Sequence, residues 1–312
     1  MNIKQEKNVF RISFEDNEFI ELKEFPHPLQ KGIMPLIAKI DDEFIPLGTG
    51  FNITNYGLMI TAKHVIDFAF KHIKNTVNTN HYTLDDSLNI FAFYVSDIKH
   101  RDNNEHYFGG FIDVSRINTT LYSDVALLQL QVPMINDTRI HLPFFRLSPC
   151  IPNIDQTIIS FGYSNMKSQR SSSDNRNNIV NYSQNFKGSR GKIKEVFSYK
   201  RDNVMLDFPC FRTDSRFDPG MSGGPIIDLN GNVNGLISSS MEVIDEDKSF
   251  ISYGTMLQHI FYLKALLTLE GDNVPKEYTL HELTNLGHID VDNSFLNISI
   301  LNSGGKTILT YK

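Results

Sequence analysis

Short apolar runs alternate with turn residues along most of the chain, the pattern of an all-β barrel or sandwich. Runs that read as strands cover 32–40, 43–54, 58–62, 89–95, 107–117, 124–130, 156–163, 192–199, 204–208, 225–229, 233–240 and 249–256. Turn chemistry separates them, as in Asn55-Tyr56-Gly57, Arg101-Asp102-Asn103-Asn104 and Asn230-Gly231. Two segments carry a helical period instead. Over 62–75, Val65, Ile66, Ala69, Phe70 and Ile73 fall near one face. Over 256–270, Leu257, Ile260, Phe261, Leu263, Leu266 and Leu267 form a similar stripe, and Gly271 follows as a candidate C-cap.

A polar stretch at 141–155 divides the strands into two groups of about six, which makes it a candidate connector between domains. Residues 164–190 are poor in apolar side chains, and from 165 to 194 seven Lys or Arg face one acid, Asp174. Such a run reads as a solvated, mobile loop. Residues 271–312 add two more strand-like runs, FLNISIL and KTILTY, with no role legible in them. The expected division is an N-terminal extension (1–30), a first β unit (31–140), a second (141–270) and a C-terminal extension (271–312).

Composition narrows the class. The 312 residues are 40% hydrophobic and 21% charged, with a formal net charge of −6. That fits a soluble globular protein and argues against a dedicated nucleic-acid binder, which needs a basic stripe. No window reaches the length of an apolar membrane span, and the charged start of the chain lacks the apolar core of a secretory signal. Two cysteines, Cys150 and Cys210, have no metal-finger partners, so free thiols, no metal, no cofactor and a cytoplasmic address are expected. Export into a host cell without a cleavable signal is the alternative address.

Three segments carry chemistry. GTGFNITNYGLMITAKHVID (48–67) runs into His64 at a helix start. SDVALLQL (123–130) puts Asp124 before a buried apolar run, and DPGMSGGPIID (218–228) puts Ser222 in a Gly-rich turn. A serine hydroxyl needs an adjacent base, and imidazole suits that role near neutral pH. The imidazole in turn needs an acceptor on its second nitrogen, which an acid at a strand mouth provides. Glycines beside Ser222 let the Gly220 and Ser222 amides turn toward a developing oxyanion. Each piece alone has a plainer explanation: a capping histidine, an edge acid, an ordinary Gly-Gly-Pro turn. Their joint occurrence, each with its flanking residues, is what points to a nucleophilic site.

With these residues the chain resembles the trypsin-like, chymotrypsin-fold serine proteases. TAKHV matches the family's TAxH box, SDVALLQL its D-[IV]-A-[LV]-L strand and GMSGGP its G-x-S-G-G-P box, over roughly residues 30–270. The resemblance implies two six-stranded antiparallel β-barrels with a C-terminal helix at 256–270. It implies a cleft between them in which His64, Asp124 and Ser222 form a triad and Gly220 and Ser222 form the oxyanion hole. By the same resemblance, Ser238 would bond the triad acid, and Ser239 and Ser240 would follow along the substrate. Met221 stands where the digestive enzymes carry an acid that pairs with a new N-terminus, so no zymogen step of that type is expected. TDSRFDPGMSGGP (213–225) is closest in style to the bacterial HtrA-type branch, without a recognisable PDZ module.

Arg216 stands at the position of the acid that reads Lys or Arg, so cleavage after those residues is not expected. Phe217 follows and is expected to block the pocket floor. A pocket for small or apolar side chains comes first, and an acidic preference assisted by Arg216 second. The expected activity is a cofactor-free serine endopeptidase acting on protein or peptide substrates. The alternative is a protease-fold binding or sensor module, latent until an activating partner binds, with 164–190 as the place to look for that partner. Nucleic acid and membrane are not expected partners.

Overall fold

The computed structural model describes residues 2–6, 9–13, 19–21, 28–40, 43–74, 88–101, 104–135, 138–170, 180–241, 250–303 and 306–311. Strands β1 (Asn2–Glu6) and β2 (Val9–Ser13) form a hairpin, β3 (Phe19–Glu21) follows, and a single helical turn, α1 (Pro28–Gly32), leads into the first barrel. That barrel is a closed antiparallel ring of β4 (Ile33–Ile40), β5 (Glu43–Asn52), β6 (Leu58–Thr61), β7 (Leu88–Arg101), β8 (Asn104–Thr119) and β9 (Ala126–Leu130), joined in the order β4-β5-β6-β9-β8-β7. Closure leaves no free sheet edge in the ring. The turn at Asn55–Gly57 closes β5 onto β6, with Gly57 at φ +101°. Of the turn expected at 101–104, Arg101 and Asn104 pair, while 102 and 103 lie outside the described residues.

Helix α2 (Lys63–Lys74) follows β6 and buries Val65, Ile66 and Ala69, with Phe70 packed against the same core. The side chain of Ile73, the last member of the expected face, lies outside the described residues. A minor hairpin of β10 (Met134–Ile135) and β11 (Thr138–Arg139) then leads to the stretch 141–155. That stretch is less polar in structure than in composition. Leu142, Phe145 and Leu147 are buried, and its backbone bonds Asn52 and Asn55 of the first barrel and Val233 of the second.

The second barrel is a closed ring of β12 (Thr157–Arg170), β13 (Val180–Phe197), β14 (Cys210–Thr213), β15 (Pro225–Asp228), β16 (Val233–Met241) and β17 (Ile251–Met256), in the order β12-β15-β16-β17-β14-β13 and back to β12. β3 adds to β13 at residues 187–189, as a seventh strand outside the ring. One apolar cluster runs through both barrels, joining Leu36 and Phe51 of the first to Phe161, Tyr163 and Leu236 of the second.

Three expectations are corrected. Residues 164–190 are not simply a loop, since β12 and β13 pair out to Arg170 and Val180; residues 171–179 lie outside the described residues. Polar side chains on both faces hid the strand period there. The strand expected at 204–208 is a turn, because the Asp202 carboxylate accepts the Val204 and Met205 amides and leaves Val204 89% exposed; the strand is β14.

The helix expected at 256–270 is the third correction. A 3₁₀ turn (Gln258–Tyr262) gives way to β18 (Lys264–Leu267), which pairs with β19 (Lys276–Thr279). Gly271, at φ +90°, serves the turn between those two strands and caps no helix. A short apolar run fits either period, and backbone pairing decides it here. The Gln129 side chain of β9 both donates to and accepts from the Leu266 backbone, which fixes this hairpin on the first barrel.

Helix α3 (Leu280–Asn285) begins with a Thr279–Glu282 capping box and drives Leu280 and Leu283 into the common core. A 3₁₀ turn (Asn293–Asn297) and a hairpin of β20 (Ile298–Ser303) and β21 (Lys306–Tyr311) complete the fold.

Leu283 is fully buried and Leu286, three residues on, is mostly exposed. Leu283→Ala is therefore expected to lower the unfolding free energy by about 2–5 kcal/mol. Leu286→Ala should stay within about 0.5 kcal/mol of the parent. Equal denaturation midpoints for the two variants would show that the tail is not part of the core.

Candidate active site

The barrels meet where three loops converge. His64 lies in the first turn of α2, directly after β6. Asp124 sits two residues before β9, flanked by buried Ser123 and Val125. Ser222 lies in the turn before β15 of the second barrel.

Asp124 is 8% exposed, and a carboxylate that dry needs donors. It has three. The His64 backbone N–H donates to Oδ1 at 2.9 Å, the His64 ring at Nδ1 donates to Oδ2 at 2.8 Å, and the Ser238 hydroxyl donates to Oδ2 at 2.7 Å. Burial alone would raise the Asp124 pKa. The His64 charge and these hydrogen bonds outweigh it and hold the carboxyl below its ordinary range. With the Nδ1 proton committed to Asp124, the outer nitrogen of His64 is left as the basic one. Burial works to lower the His64 pKa, but the Asp124 charge and hydrogen bond more than offset it, so the ring sits above its ordinary value.

Ser238 reaches Asp124 through a bulge. The β16–β17 register shifts between Ile237 and Ser239, which turns the intervening residue inward. Its carbonyl faces the Ser222 turn and accepts from Ser222 Oγ at 3.4 Å. The structure brings His64, Asp124, Ser222 and Ser238 into one cluster, and no hydrogen bond joins Ser222 to His64 in it. Unliganded sites of this type often close that contact only when substrate is seated.

The turn itself is held in an unusual backbone shape. Gly220 has φ +96° and Gly223 φ +85°, the left-handed region that glycine tolerates. A Cβ on Gly223 would fall 2.2 Å from both the Thr49 carbonyl oxygen and the Thr61 hydroxyl. Met221 N–H donates to Asp218 and Gly224 N–H to Met221. Among the described residues, the Gly220 and Ser222 amides make no hydrogen bond, so both remain available to an incoming oxygen.

Residues outside the three motifs fix this shape. Thr49 of β5 is fully buried and donates twice to the turn, from its N–H to the Ser222 carbonyl at 2.8 Å and from its hydroxyl to the Gly220 carbonyl at 2.9 Å. The same hydroxyl accepts the Tyr163 N–H at 2.9 Å, and the Thr49 carbonyl accepts the Thr61 hydroxyl at 2.6 Å. At the other end, the Asp218 carboxylate takes Lys187 at 2.7 Å and the Arg216 Nε at 2.7 Å, with the Lys187 pair nearly buried. The sole hint of Thr49 in the sequence is its place between two glycines, Gly48 and Gly50. Lys187 falls in the basic run whose composition predicts a solvated loop.

Two cavities open beside Ser222. One, of about 460 Å³, is lined among others by Arg216, Phe217, Ser238, Ser239, Ser240 and Phe250. Phe217 is buried against Met221 and Ile237, and the Arg216 guanidinium lies 5.5 Å over the Phe250 ring. Ser238 gives its hydroxyl to Asp124, Ser239 is half-buried, and Ser240 is exposed and accepts from Ser252. The other cavity, of about 470 Å³, contains His64 and Ser222. Among the described residues, no group of three or more His, Cys, Asp or Glu side chains is placed to hold a metal ion.

The profile of a trypsin-like peptidase domain matches residues 48–236. None of the curated proteins matches the chain. Among solved structures, the chain is similar to the active form of the Rv3671c protease from M. tuberculosis, at 15% identity, covering 83% of this chain and 81% of that one with a TM-score of 0.40. It is also similar to the apo MamO protease domain from Magnetospirillum magneticum, at 13% identity, covering 75% of this chain and 96% of that one with a TM-score of 0.41.

The charge balance at His64 has a measurable signature. Its ring resonances should titrate above the ordinary value near 6.5. In Asp124→Asn the anion is gone and burial remains, so the midpoint should fall below that value. Matching NMR titration midpoints in the two proteins would refute the pairing.

Proposed function

The chain belongs to the trypsin-like peptidase family, and on that premise we propose that it is a serine endopeptidase working through an acyl-enzyme. The observation that carries this reading is the Ser238–Asp124–His64 hydrogen-bond chain ending in the cavity that Ser222 also lines. In this mechanism Ser222 Oγ attacks the scissile carbonyl while the outer nitrogen of His64 takes its proton. Asp124 holds the ring and stabilises the imidazolium. The carbonyl oxygen, now an anion, is received by the Gly220 and Ser222 amides, and each such donor is typically worth about 10²–10³ in kcat. His64 returns the proton to the leaving amine. Water, activated by the same ring, then releases the acyl group.

The cavity beside Arg216 receives the side chain on the acyl side of the cleaved bond, next to the Ser239–Ser240 stretch of β16. The guanidinium there disfavours Lys and Arg. A cytoplasmic address is part of the same proposal and is supported by the two free thiols. Among the described residues, no helix is long and apolar enough to cross a membrane.

A second reading follows from one observation: Ser222 Oγ rests on the Ser238 carbonyl and makes no bond to His64. A latent module, switched on when a partner seats the serine, has this resting geometry.

A fluorophosphonate probe separates the two. The expected outcome is an adduct on Ser222, mapped by mass spectrometry and absent in Ser222→Ala and His64→Ala, with peptide hydrolysis reduced about 10⁴-fold or more in either variant. An unlabelled wild-type protein would overturn the endopeptidase reading in favour of the latent one.

Thr49 supplies an independent check on the oxyanion geometry. Thr49→Val keeps the side-chain shape and loses the bond to Gly220, so kcat should fall about tenfold or more with KM near the parent value. Thr49→Ser restores the hydroxyl and should recover most of the rate. Equal kcat values in the Val and Ser variants would remove Thr49 from the mechanism.

A further inference from the structure

The linings of the two cavities share Pro219 and Ser222 and are otherwise separate, and chemistry assigns each cavity to one half of the substrate. The ring that strips the proton from Ser222 must hand it to the leaving amine, so the leaving half of the substrate lies along the cavity that His64 lines. The other cavity, bordered by Ser239 and Ser240, belongs to the acyl half.

The wall on the His64 side is assembled from three separate elements. Leu47 comes from β5, Phe68 from α2 and Met166 from β12. Phe68 lies one helical turn beyond His64, hence on the same helix face. It is 45% exposed, a large apolar area for a solvent-facing position beside a cleft. Met166 is delivered by a distortion. The β12–β13 register shifts between Ser164 and Lys167, and Asn165 takes φ +51°, a conformation uncommon outside glycine. This bulge places the Met166 methyl 3.1 Å from where a Cβ on Gly220 would stand, so the thioether lies against the nucleophile turn. Bulges and positive-φ residues gather where a side chain must be re-aimed at a site. A flexible thioether suits a wall that adapts to different apolar groups.

We propose that Leu47, Phe68 and Met166 form a leaving-group subsite that selects a large apolar side chain (Leu, Met or Phe) within the first two residues after the cleaved bond. This rests on the endopeptidase reading of Ser222 and His64. It adds a preference on the side of the bond that the Arg216 cavity does not read. Burying such a side chain against the wall is expected to raise kcat/KM about ten- to hundredfold over a substrate with Gly or Asp there.

The test is digestion of a proteome-derived peptide library, with cleavage sites read by mass spectrometry, followed by kinetics on synthetic peptides built from the best site. The wild-type protein should show Leu, Met and Phe enriched at one of the first two positions after the bond. In peptides that differ at that position alone, Leu should exceed Gly and Asp tenfold or more in kcat/KM. Phe68→Ser, a change at a half-exposed helix position, should shrink that ratio below threefold, and Met166→Ser should also reduce it. The preferences on the acyl side should keep their wild-type order in both variants. Wild-type cleavage with no apolar enrichment after the bond would overturn the subsite while leaving the endopeptidase reading intact. An apolar enrichment that survives both substitutions would overturn the assignment to this wall. No cleavage and no probe adduct on Ser222 would bring down the endopeptidase reading, and the subsite with it.

Discussion

A nearly dry carboxylate organises the molecule. Asp124 belongs to the first barrel, and water has been stripped from it, a state that costs several kcal/mol unless donors replace the lost hydration. Two donors come from His64 on the same barrel, and the third comes from Ser238 on the other. The charge is therefore satisfied only when the barrels are docked and when the bulge in β16 turns Ser238 inward. The same contact that stabilises the interface sets the basicity of His64. Interface, base and cleft are one construction.

The turn that carries Ser222 obeys the same logic from the opposite side. Its backbone belongs to the second barrel, yet Thr49 of the first holds the carbonyls of both Gly220 and Ser222. Holding those carbonyls fixes the peptide planes around the two open amides. Asp218, tied to Lys187 of β13, holds the start of the turn. Preorganised donors of this kind are effective because they do not have to reorient as charge develops. Each barrel thus supplies a restraint for the chemistry that the other presents.

Much of the cluster was legible in the sequence because His64, Asp124 and Ser222 each sit in a local motif whose neighbours serve it directly: TAKH, SDVALL and GMSGGP. The two-barrel fold was legible through the same motifs. The supporting contacts were not, since Thr49 meets Gly220 across 171 positions in the chain and Tyr163 across 114. Period failed where tertiary pairing decided the outcome. The apolar stripe at 256–270 fits a helix, yet Gln129 and the strand Lys276–Thr279 hold part of it extended. The basic run at 164–190 carries too few apolar residues to betray a ladder, though Phe186 is buried and Lys187 pairs with Asp218. Bulges such as those at Ser238 and Asn165–Met166 follow from register, which no local pattern records.

The C-terminal tail bears on how the protein is made. The strands of the second barrel end at Met256, but Leu280, Leu283, Ile289, Phe295 and Ile298 belong to the apolar cluster that the two barrels share. Without those residues, part of the shared apolar cluster would lie open to solvent. A chain cut near residue 270 would keep His64, Asp124 and Ser222 but expose the apolar surface on which Leu280, Leu283 and Phe295 pack, a surface of the kind that recruits chaperones and proteases.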